Sequence, residues 1–497
     1  MKKRLLFSLL LLTAALTALA DANEVYYDED GNMIGFSDDA FFYLSNGNEA
    51  TVGTFDLDHC EAIEIPATVI CEGVTYTVTA IGDYAFSNNP DNGLKSVTIP
   101  NTVTSIGRGA FNYCHSLSHI DVPNSVIDIA PDAFDGTPWY DNQPDGLVYV
   151  AKVAFKYKGN MPQGTSITIK DGTLAIGHQA FYQCDALTSL TIPNSVTTIG
   201  GYACYYCTRL KYVNIPNSVT RIGYNSFSYC YDLDSLFIPS SVTEIGITAF
   251  MRCKNMKSIT VDSNNAYYDS RDNCNAIIET SSNTLIAGCK NTIIPNTVTA
   301  IGDWAFNDFD DLLELMIPNS VTYIGEGGIS CCDALTRLII PNSVTAISMD
   351  AFYGSDNLRS VIIGNSVSTI RLRAFEDCFS LRKVTCIANT PPILEDNGYG
   401  DPFTLDTFDY GTLYVPHSSL ADYKEANQWK RFAKICSIGD VNGDEQLSIS
   451  DVVDLIDGTL AGSINYDDNP AADMNSDGVI SIADIVELID QLLNSNN

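Results

Sequence analysis

Apolar positions recur along most of this chain in blocks of fixed length. Residues 187–207 read LTSLTIPNSVTTIGGYACYYC, 210–230 read LKYVNIPNSVTRIGYNSFSYC, and 233–253 read LDSLFIPSSVTEIGITAFMRC. Pro193, Pro216 and Pro239 are 23 apart, as are Pro295, Pro318 and Pro341. In each block a Leu-x-x-Leu-x-Ile stretch, such as Leu187, Leu190 and Ile192, predicts a short strand with one face inward. Pro193 ends the pairing, because proline offers no donor to a ladder. Val196 and Ile199 predict a second short strand pointing in. Gly200 predicts a turn, where a residue without Cβ is cheapest. The next segment, through Phe181 and its counterparts, predicts one helical turn or slightly more. About eleven such segments end at Phe86, Phe111, Phe134, Phe181, Cys204, Phe227, Phe250, Phe306, Ile329, Phe352 and Phe375, an aromatic spine. A block this short cannot bury its own apolar face. It must stack on its neighbours, so the prediction is a solenoid.

Two interruptions, 137–159 and 266–289, read as β-hairpins inserted between coils. The segments at 21–60 and 383–437 read as caps on a solenoid spanning 61–382, because bare solenoid ends would expose core. The fold class is therefore an α/β, strand-rich repeat solenoid, followed at 438–497 by a small all-α domain. The phrase IP-x-SVT-x-IG-x-x-AF, repeated over roughly 60–380, resembles the leucine-rich repeats of bacterial BspA-like surface proteins. That resemblance implies a secreted or cell-surface binding protein, often an adhesin, with hairpin insertions and a C-terminal closing segment. It names no ligand.

On the strand face, the outward positions carry apolar or aromatic residues at Tyr212, Phe237, Met316, Ile339 and Ile362, the last three in adjacent turns. An exposed stripe of this kind marks a candidate ligand surface. β-propensity and stacking between turns give the same pattern without a ligand. Tyr212 and Phe237 point toward a glycan; Met316, Ile339 and Ile362 point toward a protein.

The 15 cysteines include Cys184, Cys207, Cys230 and Cys253 at a spacing of 23, with Cys114, Cys332 and Cys378 in the same place of their blocks. This predicts a row of buried free thiols packed as small hydrophobes, with bridges between adjacent turns as the alternative. Cys274 and Cys289 flank CNAIIETSSNTLIAGC, a hairpin turning near Ser281 and Ser282. They would face each other across it, and a disulfide there stands as open as two free thiols.

After Ile438 a second repeat begins, with period 33 and without Lys, Arg or Cys. Asp440, Asn442, Asp444, Ser448 and Asp451 match Asp473, Asn475, Asp477, Ser481 and Asp484. These are places 1, 3, 5, 9 and 12 of a twelve-residue calcium loop, with backbone carbonyls of Gln446 and Val479 at place 7. Apolar residues spaced by three and four behind each loop predict an amphipathic helix. Two loops in register, each feeding the same helix, resemble a type I-like dockerin. The resemblance implies two calcium ions and a cohesin domain as partner, reached through Ile449, Ser450, Ile482 and Ala483. Place 6 of the first loop is Glu445, where glycine normally allows the sharp turn; Gly478 fills it in the second. The tail holds 13 carboxylates and no basic residue, so calcium would remove their repulsion and order the loops.

A formal net charge of -34 argues against nucleic acid, which needs clustered Lys and Arg. The start, MKKRLLFSLLLLTAALTALA, reads as a secretory signal over 1–20 with a small-residue cleavage site. The mature chain is expected outside the cytoplasm, without a membrane span, as a monomer, attached to a surface or scaffold through cohesin. The five histidines have no metal-ligand spacing, and there is no GxSxG, P-loop or GxGxxG pattern. The chain reads as non-catalytic. The alternative to an adhesin is an accessory component of a polysaccharide-degrading assembly.

Overall fold

A computed structural model describes residues 20–21, 24–27, 33–37, 41–53, 61–87, 93–396, 398, 400–466 and 468–495. Apart from Ala20, the leader expected over 1–20 lies outside them. The chain forms two compact units. The first is Met1–Asn160 with Lys170–Ala180 and Thr198–Ala203; the second is Met161–Ile169, Phe181–Thr197 and Cys204–Asn497.

In the first unit, parallel strands climb coil by coil: Val74–Ile81 pairs with Ser105–Ile106, which pairs with Asp128–Ile129. Phe86, Phe111 and Phe134 stack behind them, with centroids 5.1 and 5.7 Å apart and planes within 5°. The N-terminal segment adds antiparallel strands, Met33–Ser37, Phe42–Asn46 and Glu49–Val52, the last pairing parallel with Val74–Ile81. The hairpin Gly146–Val150 and Val153–Lys158 pairs antiparallel, and its second strand then pairs parallel with Ala175–Ile176.

The second unit repeats the coil. Ser235–Ile238 pairs in register with Ser258–Val261, and Arg337–Ile340, Ser360–Ile363 and Lys383–Cys386 pair in sequence. The closing segment continues this sheet with Thr412–Val415 and Lys434–Ser437. Buried Trp429 seals it, its Nε1 donating to the Pro392 carbonyl at 2.7 Å. Phe403, outside the repeat phrase, prolongs the spine by stacking on Phe375 at 5.1 Å.

The polar letters of the repeat hold one coil to the next. Ser218 Oγ and Ser241 Oγ donate to the Val196 and Val219 carbonyls at 2.6 and 2.7 Å. Thr220 and Thr243 donate to the Thr197 and Thr220 carbonyls at 3.2 Å. The valine carbonyls thus gain a donor from the neighbouring block, while the threonine carbonyls accept a hydroxyl beside the backbone N–H of the next coil.

Three local expectations change. The segment after each glycine is a tight turn, not a helix: Ala203 N donates to Gly200 O and Cys207 N to Cys204 O. Gly200 is required by proximity, since a Cβ there would lie 2.6 Å from the backbone nitrogen of His178 in the coil before. The paired part of the second strand is only Thr198–Ile199, and Val196 is buried in the turn preceding it.

Candidate ligand surface and candidate metal loops

The outward strand positions have different fates. Met316 is 80% exposed and Phe237 48%, and Tyr212 is exposed too. Ile339 is half-buried, and Ile362 is only 1% exposed, so the stripe expected at Met316, Ile339 and Ile362 does not exist as an open surface. Ile339, Ile362 and Thr385 are direct register partners. The acidic tail comes to the same row at Thr385 and Arg337. Tyr466, between the two loops, lies beside Thr385 with hydroxyl oxygens 3.3 Å apart. The Arg337 guanidinium stands over the Tyr466 ring, 4.3 Å from its centroid.

A second surface was missed in the sequence. At the turns behind the strands, Tyr182 and Tyr205 stack with centroids 5.3 Å apart, Tyr229 and Tyr206 lie 5.1 and 6.3 Å from Tyr205, and Tyr206, Tyr229 and Tyr231 cluster with one another at 5.5–6.1 Å. Arg252 sits 5.1 Å from the Tyr229 ring centroid and Lys254 5.2 Å from that of Tyr231. Arg252 Nε donates to Asn307 Oδ1 at 2.8 Å, which fixes that cation. Tyr206 and Tyr229 hold left-handed backbone, φ 61° and 63°, in the place that Gly136 and Gly354 fill in other coils. A side chain there costs about 1–2 kcal/mol. The legible signal was the run of tyrosines at one place of successive blocks.

In the tail, each loop leads into a helix, Ile449–Ala461 and Ile482–Ser495. The two loops have matching hydrogen bonds. Asp440 Oδ1 and Oδ2 accept from the backbone nitrogens of Asp444 and Glu445, both at 3.0 Å; Asp473 accepts from Asp477 and Gly478 at 3.2 and 2.9 Å. Asp451 accepts from Asn442 N and Ser448 N at 3.2 and 2.9 Å; Asp484 accepts from Asn475 N and Ser481 N at 3.2 and 2.7 Å. Asp444 and Asp477 accept from the backbone nitrogens of Gln446 and Val479 at place 7. Asp440, Asp451, Asp473 and Asp484 are all buried. Burial pushes the Asp473 carboxyl up to about 6, with neighbouring Asp484 and Asp477 adding to it. Glu445 makes the turn of the first loop with φ 64°, in strained left-handed backbone; Gly478 does so at φ 82°.

These residues offer hard oxygen donors around two concave loops, the chemistry calcium takes. Among the described residues no three His, Cys, Asp or Glu side chains converge closely enough to hold a metal by themselves. An ion would need the amide oxygens of Asn442 and Asn475, backbone carbonyls and Ser448 or Ser481 as well.

The helix residues Ile449 and Ile482 are exposed, with Val453, Leu460, Val486 and Leu493 exposed beside them. Ala483 is exposed, and Ser450 is held by Ser448 Oγ at 2.6 Å and Asn442 Nδ2 at 3.1 Å.

The family described as BspA type leucine rich repeat region matches residues 79–164, 148–277 and 282–397, in six copies. The chain belongs to that family. Solved structures with related sequence include a leucine rich cell surface protein from Faecalibacterium prausnitzii, 26% identical, covering 71% of this chain and 94% of that one, TM-score 0.37. The pneumococcal vaccine antigen PcpA is 18% identical over 82% of this chain and 97% of its own, TM-score 0.38. A leucine-rich repeat protein from Bacteroides ovatus is 24% identical over 70% and 93%, TM-score 0.32. No curated protein matches.

The family's repeat places its cysteines on the spine. Cys114, Cys207, Cys253, Cys332 and Cys378 are buried, and each Sγ donates to the carbonyl of a spine phenylalanine in the coil before: Phe86, Phe181, Phe227, Phe306 and Phe352, at 3.0–3.3 Å. Cys230 does the same to Cys204, which stands in the phenylalanine place. Burial pushes the Cys253 thiol up to about 12. Of the two alternatives left open for Cys274 and Cys289, the structure has two free thiols: Cys289 Sγ reaches the Asn275 carbonyl at 3.3 Å, and Cys274 Sγ the Ala276 carbonyl at 3.9 Å. Of the histidines, His178 lies 3.1 Å from Asp128 and accepts from Gly201 N, and His417 bonds Ser437. No described helix is long and apolar enough to cross a membrane.

Proposed function

We propose that this chain is a surface-attached or secreted binding protein without catalysis of its own, whose solenoid recognises a protein ligand and whose tail is a calcium-loaded docking module for a cohesin-like partner. Family membership supports the first part. The tyrosine cluster supports the ligand class. Tyrosine and arginine are enriched among the side chains that carry most energy at protein interfaces. Tyr182 and Tyr205 each give one ring face to the other, and the remaining rings meet tilted or edge to face, which favours a protein over a flat platform for a sugar ring.

One observation carries the tail reading: two loops 33 residues apart bury four carboxylates on matching backbone donors, without a basic residue of their own. A buried charge needs an opposite one. The exposed apolar residues on the two helices also match at that spacing, so each half offers a similar face to a partner.

Calorimetric titration of the full chain with calcium tests this. Two sites per chain are expected, falling to one in Asp473→Ala; no heat and no change in helix content would remove the module. For the ligand surface, Tyr206→Gly with Tyr229→Gly should keep the turns and abolish capture of the ligand identified with the native chain. Unchanged capture would move the ligand elsewhere.

A further inference from the structure

We propose that the outward strand face from Arg337 to Tyr414 is an internal docking surface, and that its occupant is the acidic tail of this same chain. The inference stands whether or not the loops take calcium. It rests first on exposure within one register row. Ile362 and Thr385 are each 1% exposed, although no strand of the sheet lies over them. It rests next on the seated segment. Tyr466 is buried, packed between Arg337 and Thr385. A Cβ at Gly478 would run into the Arg337 guanidinium, so the second loop lies directly on the sheet. The apolar core of the tail, with Val452, Leu455, Met474 and Leu488, is continuous with Ile387 and Tyr414 of the closing segment.

Charge fits the same pairing. The tail, 439–497, has 13 carboxylates and no Lys or Arg, so every basic side chain it meets comes from the solenoid or its closing segment. Arg337 lies under it, and Lys424 Nζ stands 3.9 Å from Glu445. Arg337 Nε and Nη2 are buried without a hydrogen-bond partner. A guanidinium left short of acceptors costs free energy, which marks a contact suited to opening rather than a permanent core.

Two consequences follow for recognition. A ligand that reads the strand face has Phe237 and Met316 available but must displace the tail to reach Ile362. The exposed helix residues Ile449, Val453, Ile482 and Val486 lie outside the seat, so a partner of the tail can bind while the seat is closed.

Hydroxyl-radical footprinting of the full chain tests the seat. Ile362 should label many-fold less than exposed Ile393. Tyr466→Ala should raise its labelling several-fold while Ile347, in the core, stays protected. Thr385→Arg attacks the seat from the solenoid side and keeps the test valid if Tyr466→Ala unfolds the tail; it should expose Ile362 with the helical signal retained. The proposal is overturned if Ile362 labels like Ile393 in the native chain, or stays protected in both variants.

Discussion

Met316 and Ile362 hold the same outward place in coils two repeats apart, yet one is 80% exposed and the other 1%. Both stand between inward-facing leucine or valine and isoleucine, although only Ile362 lies on a paired strand, Ser360–Ile363. The difference comes from a segment a hundred residues further on, which lies over the later coils and leaves the earlier ones open. A repeat protein can therefore be locally uniform and still present two surfaces, one free for a ligand and one already taken. An apolar outward residue in such a chain has to be read together with whatever follows the last repeat.

Three expected outcomes would break or sharpen that contrast. Phe375→Ala removes a stacked ring beneath the covered coils and should cost about 3–5 kcal/mol, read as a fall in the urea midpoint; a loss confined to the tail's helical signal would mean that cover and spine do not share cooperativity. Ile362→Ser should cost about 3 kcal/mol by the same assay, as for a core residue, and a negligible loss would return this position to the open class. Met316→Ser, its open counterpart, should stay within about 0.5 kcal/mol.

The thiols test burial by pH. A thiol whose folded pKa is raised favours the protonated state, so its stabilisation is present below the unfolded value and is lost as pH rises through the folded one. With Cys253 held up to about 12 by burial, the native chain should resist alkylation at pH 8 and react fully in urea. Stability should decline above pH 9, where the unfolded thiols ionise first. Ready labelling of Cys253 at pH 8 in the folded chain would contradict its burial.

The tail offers a gain instead of a loss. Glu445→Gly relieves left-handed backbone and should gain about 1 kcal/mol of tail stability, seen as a higher melting temperature of its helices. No gain would show that Glu445 recovers the strain through its contact with Lys424.

Much of the solenoid was legible because its information is local and repeated. Period, proline, spine phenylalanine and buried thiol recur at one spacing, and each position has a single physical job. The hairpins were legible for the same reason, as interruptions of a pattern. Turn chemistry was harder. The segment after Gly200 was expected to make a helical turn, but left-handed residues such as Tyr206 and Tyr229 break it into tight turns. The tyrosine cluster escaped because its members sit in those turns, outside the strand alternation that drew attention to Tyr212 and Phe237.

The amino-acid sequence alone determined the repeating block, the need for blocks to stack and the two matched acidic loops, since these depend on neighbours at fixed chain distance. It also determined that the tail would carry only negative charge. Tertiary structure decided which outward residues stay in water, where Tyr466 comes to rest, that Gly200 answers to His178 in the coil before, and that Cys274 and Cys289 point to separate carbonyls. Those outcomes depend on groups brought together from far along the chain, whose approach is set by packing and excluded volume rather than by any local spacing.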